Sequence, residues 1–113
     1  LDDALKIEGA IAAAIANWDA GLCLATAGGG ARLNIGAVAA GYCHVLKARM
    51  MSVAAGVGRT IQEMLITLED QVHLIRPLRR SERLFMCLAI DKATGNLGIA
   101  RHRLNGLDSG LDT

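Results

Sequence analysis

Three cysteines, three histidines and a run of glycines are the residues of this chain with the most chemistry to offer. Cys23, Cys43 and Cys87 are odd in number and widely spaced, with no CxxC pair. That pattern suits free thiols acting as small hydrophobes in a reducing compartment. A zinc site needs clustered ligands. Cys43 and His44 are neighbours on a predicted helix and point about 100° apart; Cys23, Cys87, His73 and His102 are scattered along the sequence, so no metal is expected. Gly28-Gly29-Gly30 follows a predicted strand and precedes a helix, where a phosphate cradle would place its glycines. Neither GxxxxGK[ST] nor GxGxxG is present, and Ala31-Arg32-Leu33 intervenes. The glycines read as a flexible link, and no nucleotide cofactor is expected. Ser52, Ser81 and Ser109 sit in no nucleophile elbow, and Asp19 and Asp91 fall in turns. Arg101 and Arg103 with Lys92 could line an anionic ligand, but cations near one end of a helix are the ordinary complement to its dipole. The expectation is a protein that is not an enzyme.

Composition bounds the rest. The chain is 52% hydrophobic but only 3% aromatic, so its apolar area comes from Ala, Leu, Ile, Val and Met. Small side chains let elements approach closely, yet each removes little area from water, at roughly 25 cal/mol per Å². Such a chain gains by burying further surface against a partner. With 12 basic and 11 acidic residues it lacks the basic excess of nucleic-acid binders. Arg76, Arg79, Arg80 and Arg83 form a local basic run, read as a solvated turn between strands, with a docking patch for an acidic partner as the alternative. No apolar run approaches the ~18 residues that span a bilayer, and a cytoplasmic location is expected. The sequence begins at Leu1, without Met, and some N-terminal residues are expected to be missing.

These residues must be positioned by elements, and 113 residues suit a single domain, 1–113. Leu1, Ala4, Leu5 and Glu8 give a short helical pattern ended by Gly9. Ala10–Ala16 and Leu22–Thr26 flank Asp19-Ala20-Gly21 and predict a tight hairpin over Ala10–Ala27, with Ile11, Ala13 and Ile15 on one face. Asn34 is the expected N-cap of a long helix, Asn34–Val57. Ile35, Val38, Ala39, Tyr42, Val45, Leu46, Met50 and Val53 form its apolar stripe. A second, lean stripe carries Ala37, Ala40, Gly41 and Ala48, with His44, Lys47 and Met51 beside it. Gly costs a helix interior roughly 1 kcal/mol against Ala, so Gly36 and Gly41 predict close approach of another backbone. Strands are expected at Gln62–Thr67, Val72–Arg76 ended by Pro77, and Leu84–Ile90, the last apolar throughout and so central in the sheet. A helix starting at Gly95-Asn96 carries Leu97, Ala100 and Leu104 on one side, and Asp108–Thr113 reads as a frayed tail.

This order resembles the Roadblock/dynein light-chain family, bacterial members included. The carrying segments are Ile7-Glu8-Gly9-Ala10-Ile11, Asp19-Ala20-Gly21-Leu22, Met64-Leu65-Ile66-Thr67 with Val72-His73-Leu74-Ile75-Arg76-Pro77, and Asn96-Leu97-Gly98-Ile99-Ala100-Arg101. The resemblance implies an α/β chain of the α+β sandwich kind, profilin/longin-like. Its five-stranded antiparallel sheet would have the order 2-1-5-4-3, the long helix on one face and short terminal helices on the other. It also implies a homodimer made by the long helix and the third strand, here Ala37, Ala40, Gly41, His44, Ala48 and Met51 with Met64 and Ile66. The implied function is that of a non-enzymatic adaptor or scaffold that binds and regulates a small Ras-like GTPase or another regulatory protein, with no cofactor. The low aromatic content departs from what dominates most interfaces, and Trp18 lies in a turn. The alternative is a small-molecule-sensing module with a ligand cavity between sheet and helix.

Overall fold

The chain opens with a 3₁₀ turn at Asp2–Lys6 and a hairpin of β1 (Ala10–Asn17) and β2 (Leu22–Gly28). The long helix α1 (Ile35–Gly56) follows, then β3 (Met64–Thr67), β4 (Gln71–Pro77), β5 (Leu84–Asp91) and the closing helix α2 (Leu97–Leu111). The computed structural model describes residues 1–56, 61–79, 81 and 83–111, and over 51–56 and 109–111 the backbone alone. The expected helix end at Val57–Gly58 lies outside the described residues. The strands form one antiparallel sheet of order β2-β1-β5-β4-β3. One face carries α1, and the other carries the 3₁₀ turn and α2.

Alternation assigns the faces. Ala12, Ala14 and Ala16 of β1 and Phe85, Cys87 and Ala89 of β5 meet Ile35, Ala39, Cys43 and Leu46 of α1. Ala13, Leu74, Met86, Leu88 and Ile90 meet Ala4, Ile7, Ala100 and Leu104 on the other side. β5 runs buried from Phe85 to Ile90 and occupies the centre, as its unbroken apolar run requires. A register shift between Ala10 and Ala12 changes the parity of β1, so Ile11 packs on the α1 face while Ala13 and Ile15 pack on the other. The three therefore do not share a face, as simple alternation expects.

Local chemistry fixes the element ends. Asn34 caps α1, its Oδ1 accepting the Ala37 N–H at 3.1 Å. Asn96 does the same for α2 through the Ile99 N–H at 3.0 Å. In the β1–β2 turn Asn17, rather than the expected Asp19, holds the backbone, its Oδ1 accepting the N–H groups of Asp19 and Ala20. Gly9 has φ +83°, and a Cβ there would strike the Cα of Gly95, so two turns from opposite ends of the chain touch through their glycines.

Four further expectations are corrected. Val45 is 43% exposed, and Cys43 takes the sheet-facing place. At 100° per residue Ile35, Ala39, Cys43 and Leu46 share an arc of about 80°, and Val45 falls some 80° outside it. The third strand begins at Met64, two residues late. Asp108 belongs to α2 and is 1% exposed. Its carboxylate accepts from Arg76 Nε at 3.1 Å and from the Arg79 backbone N–H at 3.1 Å. Asn105 Oδ1 accepts from both guanidinium groups at 2.6 Å. Arg76 and Arg79 are thus neither a solvated turn nor a free docking patch; they tie the end of β4 to α2. Arg83 lies 3.7 Å from Asp19. Arg80 lies outside the described residues.

Removing one member of a buried ion pair leaves the other uncompensated and typically costs several kcal/mol. Asp108→Ala should therefore lower unfolding free energy by about 3 kcal/mol in urea titration. Arg83→Ala, with its side chain 65% exposed, should change it by less than about 0.5 kcal/mol.

Candidate functional site

α1 has one flank tied down and one left open. On the β2 side the Cys43 Sγ lies 3.5 Å from the Asn17 carbonyl, and Lys47 reaches Asp19 at 3.7 Å. On the β3 side Ala37, Gly41 and Val45 are exposed and border a groove; His44 and Ala48 are exposed on the part of the helix turned away from the sheet, and Ala40, half-buried, lies near Lys47. A Cβ built on Gly41 would meet nothing within 4 Å, so nothing in the subunit requires a glycine there. At Gly36 the nearest groups, on Asn34 and Thr26, lie at ordinary contact distance. The side chain of Met51 is outside the described residues.

Beside this flank lies β3, which pairs with β4 on one side and with no described strand on the other. Met64 and Ile66 are half-buried and turn onto the α1-face core. What they offer at the rim is backbone, while Leu65 (39% exposed) and Leu68 (41%) bring the apolar side chains. Period-2 alternation carried that distinction for Leu65, which must face away from Met64 and Ile66. The rim and flank thus gather Ala37, Gly41 and Val45 with Leu68, while Leu65 leaves β3 on the opposite face.

Between the flank and the β3–β4 turn runs a groove of about 480 Å³, walled by Leu33, Val38, Val45 and Leu68. Its polar lining is a hydrogen-bonded chain. His73 is buried and lies 2.8 Å through Nε2 from Gln71 Oε1. That acceptor assigns the proton to Nε2, and Nδ1 then accepts the Tyr42 O–H at 2.6 Å. Tyr42 also meets the imidazole edge-on, with centroids 5.7 Å apart. Burial lowers the His73 pKa, against a smaller upward pull from the Asp70 carboxylate. Burial likewise raises that of Tyr42, with Cys87 adding to it. In a neighbouring hollow lined also by Glu69, Asp70 and Lys92, Arg32 reaches Asp91 at 2.7 Å, which holds the Asp91 carboxyl below the usual range.

The cysteines, scattered in sequence, converge on the α1 face, with Cys43 and Cys87 in its core and Cys23 packed at its edge. All three are free thiols. Burial pushes the Cys87 pKa up to about 12 and raises that of Cys43. Among the described residues no His, Cys, Asp and Glu set has the arrangement to hold a metal ion. Nor, among them, is any helix long and apolar enough to cross a membrane.

No family model and no curated protein matches this chain. Solved structures do. The gliding protein MglB from Thermus thermophilus aligns with TM-score 0.79 and 17% identity over 99% of this chain and 82% of that one. An MglB solved in a tetrameric arrangement gives 0.78 and 18% over 99% and 82%. A Roadblock/LC7 domain from Streptomyces avermitilis gives 0.71 and 12% over 97% and 88%. The fold is therefore the roadblock fold, as the ordered segments of the sequence implied.

The buried thiols and imidazole give two checks. Because the folded state holds His73 neutral, the unfolded chain takes up its proton first as pH falls below about 6.5. The His73 contribution to stability should be level above that pH and decline as pH falls below it, and His73→Gln should remove this part of the slope in pH-dependent thermal melts. Maleimide at pH 8 should label Cys23 first and Cys87 only on unfolding, as read by mass spectrometry.

Proposed function

We propose that this chain is a non-enzymatic homodimeric adaptor, located in the cytoplasm, that binds and regulates a small Ras-like GTPase. The observation that carries the reading is the unfinished side of the molecule: an open strand rim next to a helix flank of Ala and Gly. A rim of unpaired N–H and C=O groups invites another strand. A lean helix flank invites close approach of another helix. A two-fold axis supplies both at once, because in an isologous pair the same patch meets itself.

Two further observations support it. The fold is shared with MglB and with a Roadblock/LC7 domain, and one MglB has been solved in a tetrameric arrangement. The GTPase as partner follows from the family resemblance of the sequence. Pairing two copies would extend the sheet and set the two α1 helices side by side, giving a surface wide enough for a globular partner. That partner would be bound by shape and backbone rather than by large aromatic anchors, since only 3% of residues are aromatic. With a net charge of +1, nucleic acid is not the expected partner.

The groove of about 480 Å³ beside α1 and a hollow of about 890 Å³ at the Trp18–Met50–Pro77 end are large enough for a small ligand. They support a second reading as a small-molecule-sensing module. Ligand-dependent stabilisation in a thermal-shift screen, with no GTPase bound, would favour it.

Light scattering at micromolar concentration should report a dimer, and a panel of nucleotide-loaded Ras-like GTPases should yield one that binds and whose GTP turnover or nucleotide state responds. Gly41→Leu should weaken self-association by tenfold or more, about 1.4 kcal/mol. The subunit has open space at that Cβ, so its circular dichroism should be unchanged. Undiminished dimerisation of this variant would place the helix contact elsewhere.

A further inference from the structure

We infer that Arg49 of one copy pairs with the Glu69–Asp70 turn of the second copy, so that a charge clamp at each end of the β3 rim sets the register of the dimer; this rests on the self-association proposed above. Arg49 lies seven residues, nearly two turns, beyond Tyr42, so it leaves α1 on the same side as the side chain that touches His73 of β4. It is exposed and makes no ion pair among the described residues. Met50 beside it packs on the same core as Ile61, which places this stretch of α1 at the Ile61 end of β3.

The opposite end of β3 carries two carboxylates, in a hollow they share with Lys92 and with the Arg32–Asp91 pair. Glu69 and Asp70 form the exposed turn into β4, and neither carboxylate has an ion-pair partner among the described residues. Asp70 is engaged through its backbone carbonyl, which accepts the Lys92 N–H at 3.0 Å, and it acts on His73 only at a distance. Within one subunit the cation and the carboxylates stand at opposite ends of the same strand and cannot meet. When β3 lies antiparallel to its mate, the Glu69–Asp70 end of each copy comes beside the Ile61 end of the other, where Arg49 is. The two-fold axis makes the contact twice.

The clamp answers a question that the rim leaves open. β3 is four residues long and its rim is apolar and backbone in character, which specifies alignment weakly. A slip of two residues would keep every side chain on its face while separating the charges. A parallel approach would set Arg49 against Arg49 and the carboxylates against each other. Complementary charge at an interface acts in this way, selecting orientation and register more than adding affinity.

Charge reversal tests it. Arg49→Glu and Glu69→Lys are made separately, the second leaving Asp70 beside His73 in place, and sedimentation is measured in 50 mM NaCl with circular dichroism as the fold control. Each variant alone should self-associate at least tenfold more weakly than the parent, and an equimolar mixture should form a heterodimer tighter than either homodimer. Raising NaCl to 0.5 M should weaken the parent and erase the preference of the mixture. A dimeric parent whose variants pair with themselves as tightly as with each other overturns the clamp alone. A parent that stays monomeric to 100 μM, about the limit of a weak pair, overturns the self-association as well.

Discussion

β5 has no solvent face. Phe85, Cys87 and Ala89 are sealed under α1, and Met86, Leu88 and Ile90 under α2 and the N-terminal turn. Everything else in the domain is arranged to supply those two covers. The hairpin supplies β1, whose buried residues on the α1 face are alanines, so the helix can lie close to the sheet. Full burial of a Phe or Leu contributes about 1.5–3 kcal/mol, and those side chains sit mostly on β4, β5, α1 and α2 rather than on β1. The centre of the sheet is therefore where the stabilising area is, and the rims have little.

Poverty of area at the rims explains the difference between the two flanks of α1. On one side the helix is fastened to the β1–β2 turn by Cys43 and Lys47. That turn is in turn held by Asn17 and by the Trp18 N–H, which donates to the Arg83 carbonyl at 2.9 Å. On the other side the helix meets β4 through Tyr42 and His73, and Ala37, Gly41 and Val45 border the groove toward β3. β2 is an edge as well and exposes Leu22 and Leu24, but its pairing is broken by a register shift in which Ala16 meets Cys23 directly after Ile15 meets Ala25. Such an irregularity twists an edge and blunts it. The two edges of one sheet thus differ in kind, and the lean flank sits beside the unblunted one.

Polar chemistry in this chain is structural wherever it is buried. Asp108 gathers Arg76 and the Arg79 backbone, Asn105 accepts one donor from each guanidinium, and α2 is fixed to the sheet where sequence suggested a loose tail. Gln71, His73 and Tyr42 satisfy one another in series, so a histidine can be buried at the helix–sheet seam without an orphaned donor. Each network spends groups that in the sequence looked available for partners. The charges left without an ion-pair partner among the described residues then stand out, and Arg49, Glu69 and Asp70 are among them.

The sequence by itself determined the element order, the cap at Asn34, the central place of the apolar strand and, through its ordered segments, the roadblock fold. These follow from local rules: side-chain capping, turn glycines, and a run of apolar residues long enough for a two-faced strand but too short for a membrane. Only the tertiary structure decided which helix positions face the sheet, because Cys43 and Val45 differ by an angle that matters only once the packing direction of α1 is set. A bulge, which no pattern of alanines announces, moved Ile11 to the other face. The burial of Asp108 depended on two arginines 32 and 29 positions away, a pairing that exists only after β4 and α2 lie together. Met64 and Ile66 pack on the α1-face core once the helix lies over β3, and the backbone of β3 is what they leave at the rim. Local propensity is written along the chain; which face, which partner and which charge is left over are properties of the packed whole.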